Sequence, residues 1–121
     1  MHIEATKSSP YIKLSAEDCE FRIEGSSYSE SVDEIYDNVI KWVKEKIPEL
    51  ECELNCIFKL YVLSSVSQKK ILYILIKLNE FFESGKKIKI IWYVTEDDED
   101  NYEFAEEIGE LFKIPIEIIK E

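Results

Sequence analysis

The chain has 121 residues, 45% of them apolar, which is enough for one layered core and predicts a single domain over residues 1–121. Its 26 acidic residues against 15 basic give a net charge of −11, a field that opposes nucleic acid and anionic membranes while leaving basic protein surfaces open as partners. No run approaches the roughly 20 apolar residues of a membrane span, and no secretory apolar region opens the chain, so membrane insertion is not expected and the cytoplasm is the expected location.

Tyr11 to Leu14 and Cys19 to Glu24 are short extended runs separated by Ser15-Ala16-Glu17-Asp18, the spacing of a β-hairpin. Gly25-Ser26-Ser27 is expected to break the pattern and lead to a helix. Ser31 with Glu34 fits a capping box, in which each side chain satisfies a first-turn amide. Val32, Ile35, Tyr36, Val39, Ile40, Val43 and Ile47 follow at helical spacing, and Pro48 ends the helix because it cannot continue the hydrogen-bond ladder.

Glu51 to Leu63 alternates Cys52, Leu54, Cys56, Phe58, Leu60 and Val62 against a more polar set, the period of a strand with one buried face. A second helix is predicted from about Ser67 to Ser84, stopped by Gly85. Ile88 to Val94 is apolar on both faces and reads as a central strand. A third helix follows from about Asn101 to Phe112, and Ile114 to Ile119 closes the chain as an edge strand entered through Pro115. The order is ββαβαβαβ. Strands separated by helices are expected to be parallel, with right-handed crossovers, giving a two-layer or three-layer α/β fold whose mixed sheet has about five strands and about three helices.

The best-defined chemistry lies where the third strand hands over to the second helix, at Ser64-Ser65-Val66-Ser67-Gln68-Lys69-Lys70. A helix N-terminus carries unpaired amides and a partial positive charge, so it can hold a phosphate or another anion. Ser65 and Gln68 have the spacing of a capping box, and one reading is that Ser65 simply caps the helix. The other is that Ser65 accepts a phosphoryl group, with Lys69 and Lys70 one turn on as its cations.

Elsewhere the signals are plainer. Glu96-Asp97-Asp98-Glu99-Asp100 lacks the alternating ligands and central glycine of a calcium loop, so a solvated turn is expected in place of a metal site. Cys19, Cys52 and Cys56 all fall in strand-like segments and read as buried apolar thiols, and the only histidine, His2, falls in a terminus expected to fray. An internal histidine, a glycine-rich nucleotide loop and a serine nucleophile elbow are all absent, so no cofactor and no catalysis are expected.

Several segments together, in order along nearly the whole chain, resemble the bacterial SiaC-like regulatory phosphoproteins. Ala5-Thr6-Lys7-Ser8-Ser9-Pro10 is similar to the family's Thr-Lys-Ser-Thr-Pro opening, and Gly25-Ser26-Ser27-Tyr28-Ser29-Glu30 to its Gly-x-Ser-Tyr-Pro-Glu-Asn loop. Phe58 to Leu78 resembles its strand, Asn-Thr-Ser turn and long helix, and Ile91-Trp92-Tyr93 with Ala105-Glu106-Glu107 to Ile116 completes the likeness.

The resemblance implies a STAS-like α/β fold, as in anti-sigma factor antagonists. It also implies a non-catalytic signalling protein switched by a partner kinase and phosphatase. The family's phosphoacceptor threonine corresponds to Ser65, with Ser64 in place of the Asn and Val66 in place of the following Ser, while Ser29 replaces the loop proline. The unphosphorylated form of such proteins activates a diguanylate cyclase, raising cyclic di-GMP and favouring biofilm.

The expected site is therefore Ser65 as acceptor, surrounded by Ser64, Ser67, Gln68, Lys69, Tyr28, Ser29 and Glu30. The alternatives are a constitutive structural or assembly subunit in which Ser65 only caps its helix, and a metal-dependent enzyme that uses the acidic run.

Overall fold

The computed structural model describes residues 1–121. Its elements are β1 (His2–Ile3), β2 (Tyr11–Ser15), β3 (Glu20–Ser27), α1 (Val32–Lys46), a 3-10 turn (Ile47–Glu49), β4 (Leu54–Leu63), α2 (Ser65–Glu83), β5 (Ile88–Val94), α3 (Glu99–Leu111) and β6 (Ile116–Lys120). One mixed sheet contains all six strands in their chain order, β1-β2-β3-β4-β5-β6. The first three pair antiparallel, and β3 through β6 pair parallel, as crossover connections through helices require.

β2 and β5 alternate buried with half-buried residues throughout, as do β3 up to Glu24 and β4 up to Leu60. The buried set is in register across the sheet: Ile12 faces Ile23, Ile23 faces Phe58, and Phe58 faces Trp92. Phe58 stacks on Trp92 at 4.8 Å between ring centroids, while Trp42 of α1 packs near Phe21 and Phe104 of α3 meets Trp92 edge-on. All three helices thus lie on this one face, because right-handed crossovers that always step in the same direction along a sheet stay on the same side. Two layers result.

Several expectations change. There are six strands, not five: Met1 donates its N-terminal amine to the Leu14 carbonyl at 2.8 Å and draws His2 and Ile3 into pairing with β2, so His2 is not frayed. Gly25-Ser26-Ser27 does not end its strand. β3 continues through an irregularity between Gly25 and Ser27, where Gly25 takes φ +112°.

β4 begins at Leu54, which leaves Cys52 in the preceding loop, while Cys19 sits in the β2–β3 turn at φ +51°. These two cysteines are not separate apolar thiols: their sulfurs are paired, with Cα atoms 6.4 Å apart, and only Cys56 is buried and free. Burial pushes the Cys56 thiol well above its usual range. β5 is an interior strand, but Ile91 and Tyr93 lie on the uncovered face, so its apolar odd positions do not reflect burial on two sides.

The helix boundaries follow their chemistry. α1 stops at Lys46, ahead of Pro48. Its capping box does not form: the Ser31 side chain caps no amide and bonds to Ser29 Oγ at 2.9 Å. α2 ends in a Schellman motif, with Gly85 N–H donating to Phe82 O and Lys86 N–H to Phe81 O, and Gly85 at φ +110°. A Cβ there would meet no neighbour, so Gly85→Ala costs backbone strain alone. We expect about 1–2 kcal/mol, measurable as a shift of the urea midpoint at unchanged m-value.

Candidate functional site

The carboxyl ends of β3, β4 and β5 share one edge of the sheet, and each feeds a helix there. Ser64, at the end of β4, has extended backbone (φ −72°, ψ 164°), and its side chain accepts from Ser67 N at 3.2 Å. Ser64 is therefore the N-cap of α2. The reading in which Ser65 caps the helix is overturned, as is the Ser65–Gln68 capping box: the helix starts two residues earlier than expected and makes Ser65 its first helical residue.

Ser65 is exposed, and Gln68 N–H is the first amide to find a helical acceptor, Ser64 O at 3.0 Å. The amides of Ser65 and Val66 precede it and have no carbonyl within the helix. An exposed hydroxyl is thus carried on the positive end of a 19-residue helix.

Below that turn lies a chain of buried hydroxyls that periodicity does not reveal. Tyr36 OH donates to Ser27 Oγ at 2.9 Å, and Ser27 Oγ is 2.8 Å from Ser67 Oγ. Ser67 Oγ donates to Ser27 O at 2.8 Å and accepts from Ser64 Oγ at 3.0 Å. With Ser27 donating to Ser67, each hydroxyl gives one hydrogen and none is wasted. Burial pushes the Tyr36 phenol up to about 12, against the opposing effect of its Ser27 bond, so it stays a donor.

Ser67 is fully buried and is a strut of the turn, not part of its outer surface. Ser64 N–H also donates to Ser27 O, and Tyr28 N–H and Ser29 N–H both donate to Ser8 O. Ser8 belongs to a tight turn in which Thr6 Oγ1 accepts from the Ser8 and Ser9 amides. Three segments distant in sequence, 6–9, 27–31 and 64–68, are tied together in this way. Of their contributors, Thr6, Ser8, Ser27 and Tyr36 were not among the expected site residues. The one signal for Thr6, Ser8 and Ser27 was the pair of hydroxyl-rich segments in the family-like motifs, and Tyr36 read only as part of the α1 stripe.

The surroundings are apolar and acidic. Tyr28, Tyr61, Val62 (59% exposed) and Val66 (48% exposed) are large hydrophobic side chains left open to solvent at this edge. One cleft beside them is lined by Tyr28, Ser29, Glu30, Val32, Asp33, Ser64 and Val66, so the structure places Tyr28, Ser29 and Glu30 beside the turn. A second, of about 590 Å³, lies on the other side, between Tyr61–Leu63, Gln68 and the start of α3.

Of the two lysines expected to serve Ser65, Lys70 is already engaged. Its ammonium is 2.7 Å from Asp37 and 3.2 Å from Asp33, and those two contacts, Asp37 first, raise its pKa. Lys69 is exposed, lies one helical turn from Ser65 and makes no ion pair. In the acidic run, Asp98 caps α3 by accepting from Asn101 N and Nδ2, and no three potential metal ligands converge anywhere in the molecule. Asn101 Nδ2 in turn donates to Leu60 O and Tyr61 O, fixing α3 against the end of β4.

Comparison with known proteins agrees with this architecture. The chain is 28% identical to a chain in the crystal structure of diguanylate cyclase SiaD in complex with its activator SiaC from Pseudomonas aeruginosa, with a TM-score of 0.94 over 100% of this chain and 99% of that one. Apo-SiaC of the same organism superposes with a TM-score of 0.89 at 28% identity, covering 98% of this chain and 97% of that chain. An uncharacterised protein of P. aeruginosa strain UCBPP-PA14 is 29% identical over 118 residues, 98% of this chain and 94% of that protein. The family model described as "SiaC family regulatory phosphoprotein" matches residues 3–121. With the fold and nearly every residue accounted for by that model, the chain belongs to the SiaC family of regulatory phosphoproteins.

Proposed function

We propose that residues 1–121 act as a single, non-catalytic regulatory domain in the cytoplasm. It binds and activates a diguanylate cyclase while Ser65 is unmodified, and it releases the cyclase when a kinase phosphorylates Ser65. A phosphatase resets it. The observation that carries this reading is the exposed Ser65 hydroxyl on the first turn of α2, beside unpaired amides and among Tyr28, Val62 and Val66. Family membership and the likeness to an activator seen with its cyclase support it.

The mechanism is one of desolvation. A partner seated on the apolar edge strips water from Ser65, which a neutral hydroxyl tolerates. A phosphate of nearly two negative charges does not tolerate it, because its hydration is lost and nothing of equal strength replaces it. In the free protein the same phosphate is accommodated by the Ser65 and Val66 amides and by Lys69, so the modified form is stable but does not dock.

The test is to incubate the protein with ATP and its cognate kinase and locate the product by mass spectrometry. Phosphate is expected on Ser65, with loss of binding and activation of the cyclase. Phosphate found only at other residues would overturn the assignment.

A further inference from the structure

The second cleft carries information about what the partner looks like. Tyr61, Val62, Leu63 and Phe104 supply its apolar lining, and the first turns of α3 supply most of the rest. Four carboxylates line it, from Asp98, Asp100, Glu103 and Glu107, and no lysine or arginine does. Asp98 is used in capping, but Asp100, Glu103 and Glu107 enter no ion pair, although ten such pairs exist elsewhere on a surface of this charge. Gln68, on the same helical turn as Ser65, closes the cleft, which makes it continuous with the site above.

We propose that this cleft docks an apolar protein segment flanked by lysines or arginines, its side chains covering Tyr61 and Val62 while its cations meet Asp100, Glu103 and Glu107. The inference rests on the proposed function for the location of the interface, and it adds the chemistry of the partner. A cleft that joins open apolar side chains to unpaired carboxylates and holds no cation is matched by an apolar segment with cations at its flanks, and unpaired like charges on one helix are relieved by those cations. The roles also separate in space: α3 supplies the salt-sensitive attraction, and α2 supplies the phosphorylation-sensitive contact.

Two synthetic amphipathic peptides with the same leucine face test this, one rimmed with lysine and one with glutamate, titrated by fluorescence anisotropy. The lysine peptide is expected to bind and the glutamate peptide not to bind. Its affinity should fall about tenfold between roughly 50 and 300 mM salt, because exposed charges are screened over that range. The amide resonances of Tyr61 to Leu63 in the unmodified protein should shift on binding.

Asp100→Lys/Glu103→Lys/Glu107→Lys should lose about tenfold or more of that affinity. A control with Glu45→Lys/Glu49→Lys/Glu53→Lys, remote from the cleft and equal in charge change, should keep most of it. Equal loss in both variants, equal binding of both peptides, or resonance shifts away from Tyr61 to Leu63 would overturn the proposal. Failure of the cyclase to respond to Ser65 phosphorylation, with these peptide results intact, would instead count against the proposed function alone.

Discussion

Ser65→Asp is expected to weaken binding to the diguanylate cyclase about a hundredfold, close to 3 kcal/mol, while leaving the melting temperature unchanged or slightly raised. The two effects diverge because they depend on different neighbours. In the free protein a carboxylate at the first helical position faces the open amides of Ser65 and Val66 and the positive end of α2, which is worth some tenths of a kcal/mol. In the complex the same carboxylate is covered by partner surface beside Val62 and Val66 and loses its water. Ser65→Ala should bind like the parent protein and ignore the kinase. Isothermal titration and thermal unfolding on the three proteins check both halves, and an unaltered affinity for Ser65→Asp would refute the switch.

Ser67→Val should be the most damaging conservative change at the site, costing about 3 kcal/mol of stability, or roughly 12 °C for a chain of this size. Valine adds a carbon at a fully buried site and removes a hydroxyl that accepts from Ser64 Oγ, contacts Ser27 Oγ and donates to Ser27 O. The hydroxyl hydrogens of Ser27 and Ser64 lose their acceptor, that of Ser27 in a fully buried position, and Ser27 O is left with the Ser64 amide alone. Tyr36→Phe removes one donor from Ser27 and leaves the Ser27–Ser67 link in place, so about 1 kcal/mol is expected. Denaturant unfolding of both variants checks the order, and a Ser67→Val protein as stable as Tyr36→Phe would show that the hydroxyl chain is not holding the turn.

How much of this was legible in the sequence differs by element. The stripes of α1, α2 and α3 and the alternation of β4 specified element types and the ββαβαβαβ order, because periodicity reports which face is buried. Strand ends were less visible: β3 runs past Gly25, and β1 exists only through cross-strand bonds to β2, which no local pattern encodes. Periodicity also could not show that Ile91 and Tyr93 face an uncovered surface, since an apolar residue looks the same on either side of a strand.

At the site, the serine-rich turn and its helix were readable. Which serine caps and which is exposed was not, because Ser64 and Ser65 differ only in backbone conformation. The Ser27–Ser67 bond spans 40 residues, and the pairing of Cys19 with Cys52 spans 33. Both depend on the assembled sheet.

The strand order has a last consequence. Nucleotide-binding α/β proteins owe their deep crevice to a reversal, where neighbouring crossovers depart to opposite sides and leave a gap between them. Here β3 to β6 advance without turning back, so no such gap opens. The loops at the strand tips instead leave open clefts side by side above one helical layer. A broad edge of this kind meets the contour of another macromolecule well, and a single added phosphate can spoil the fit across its whole width.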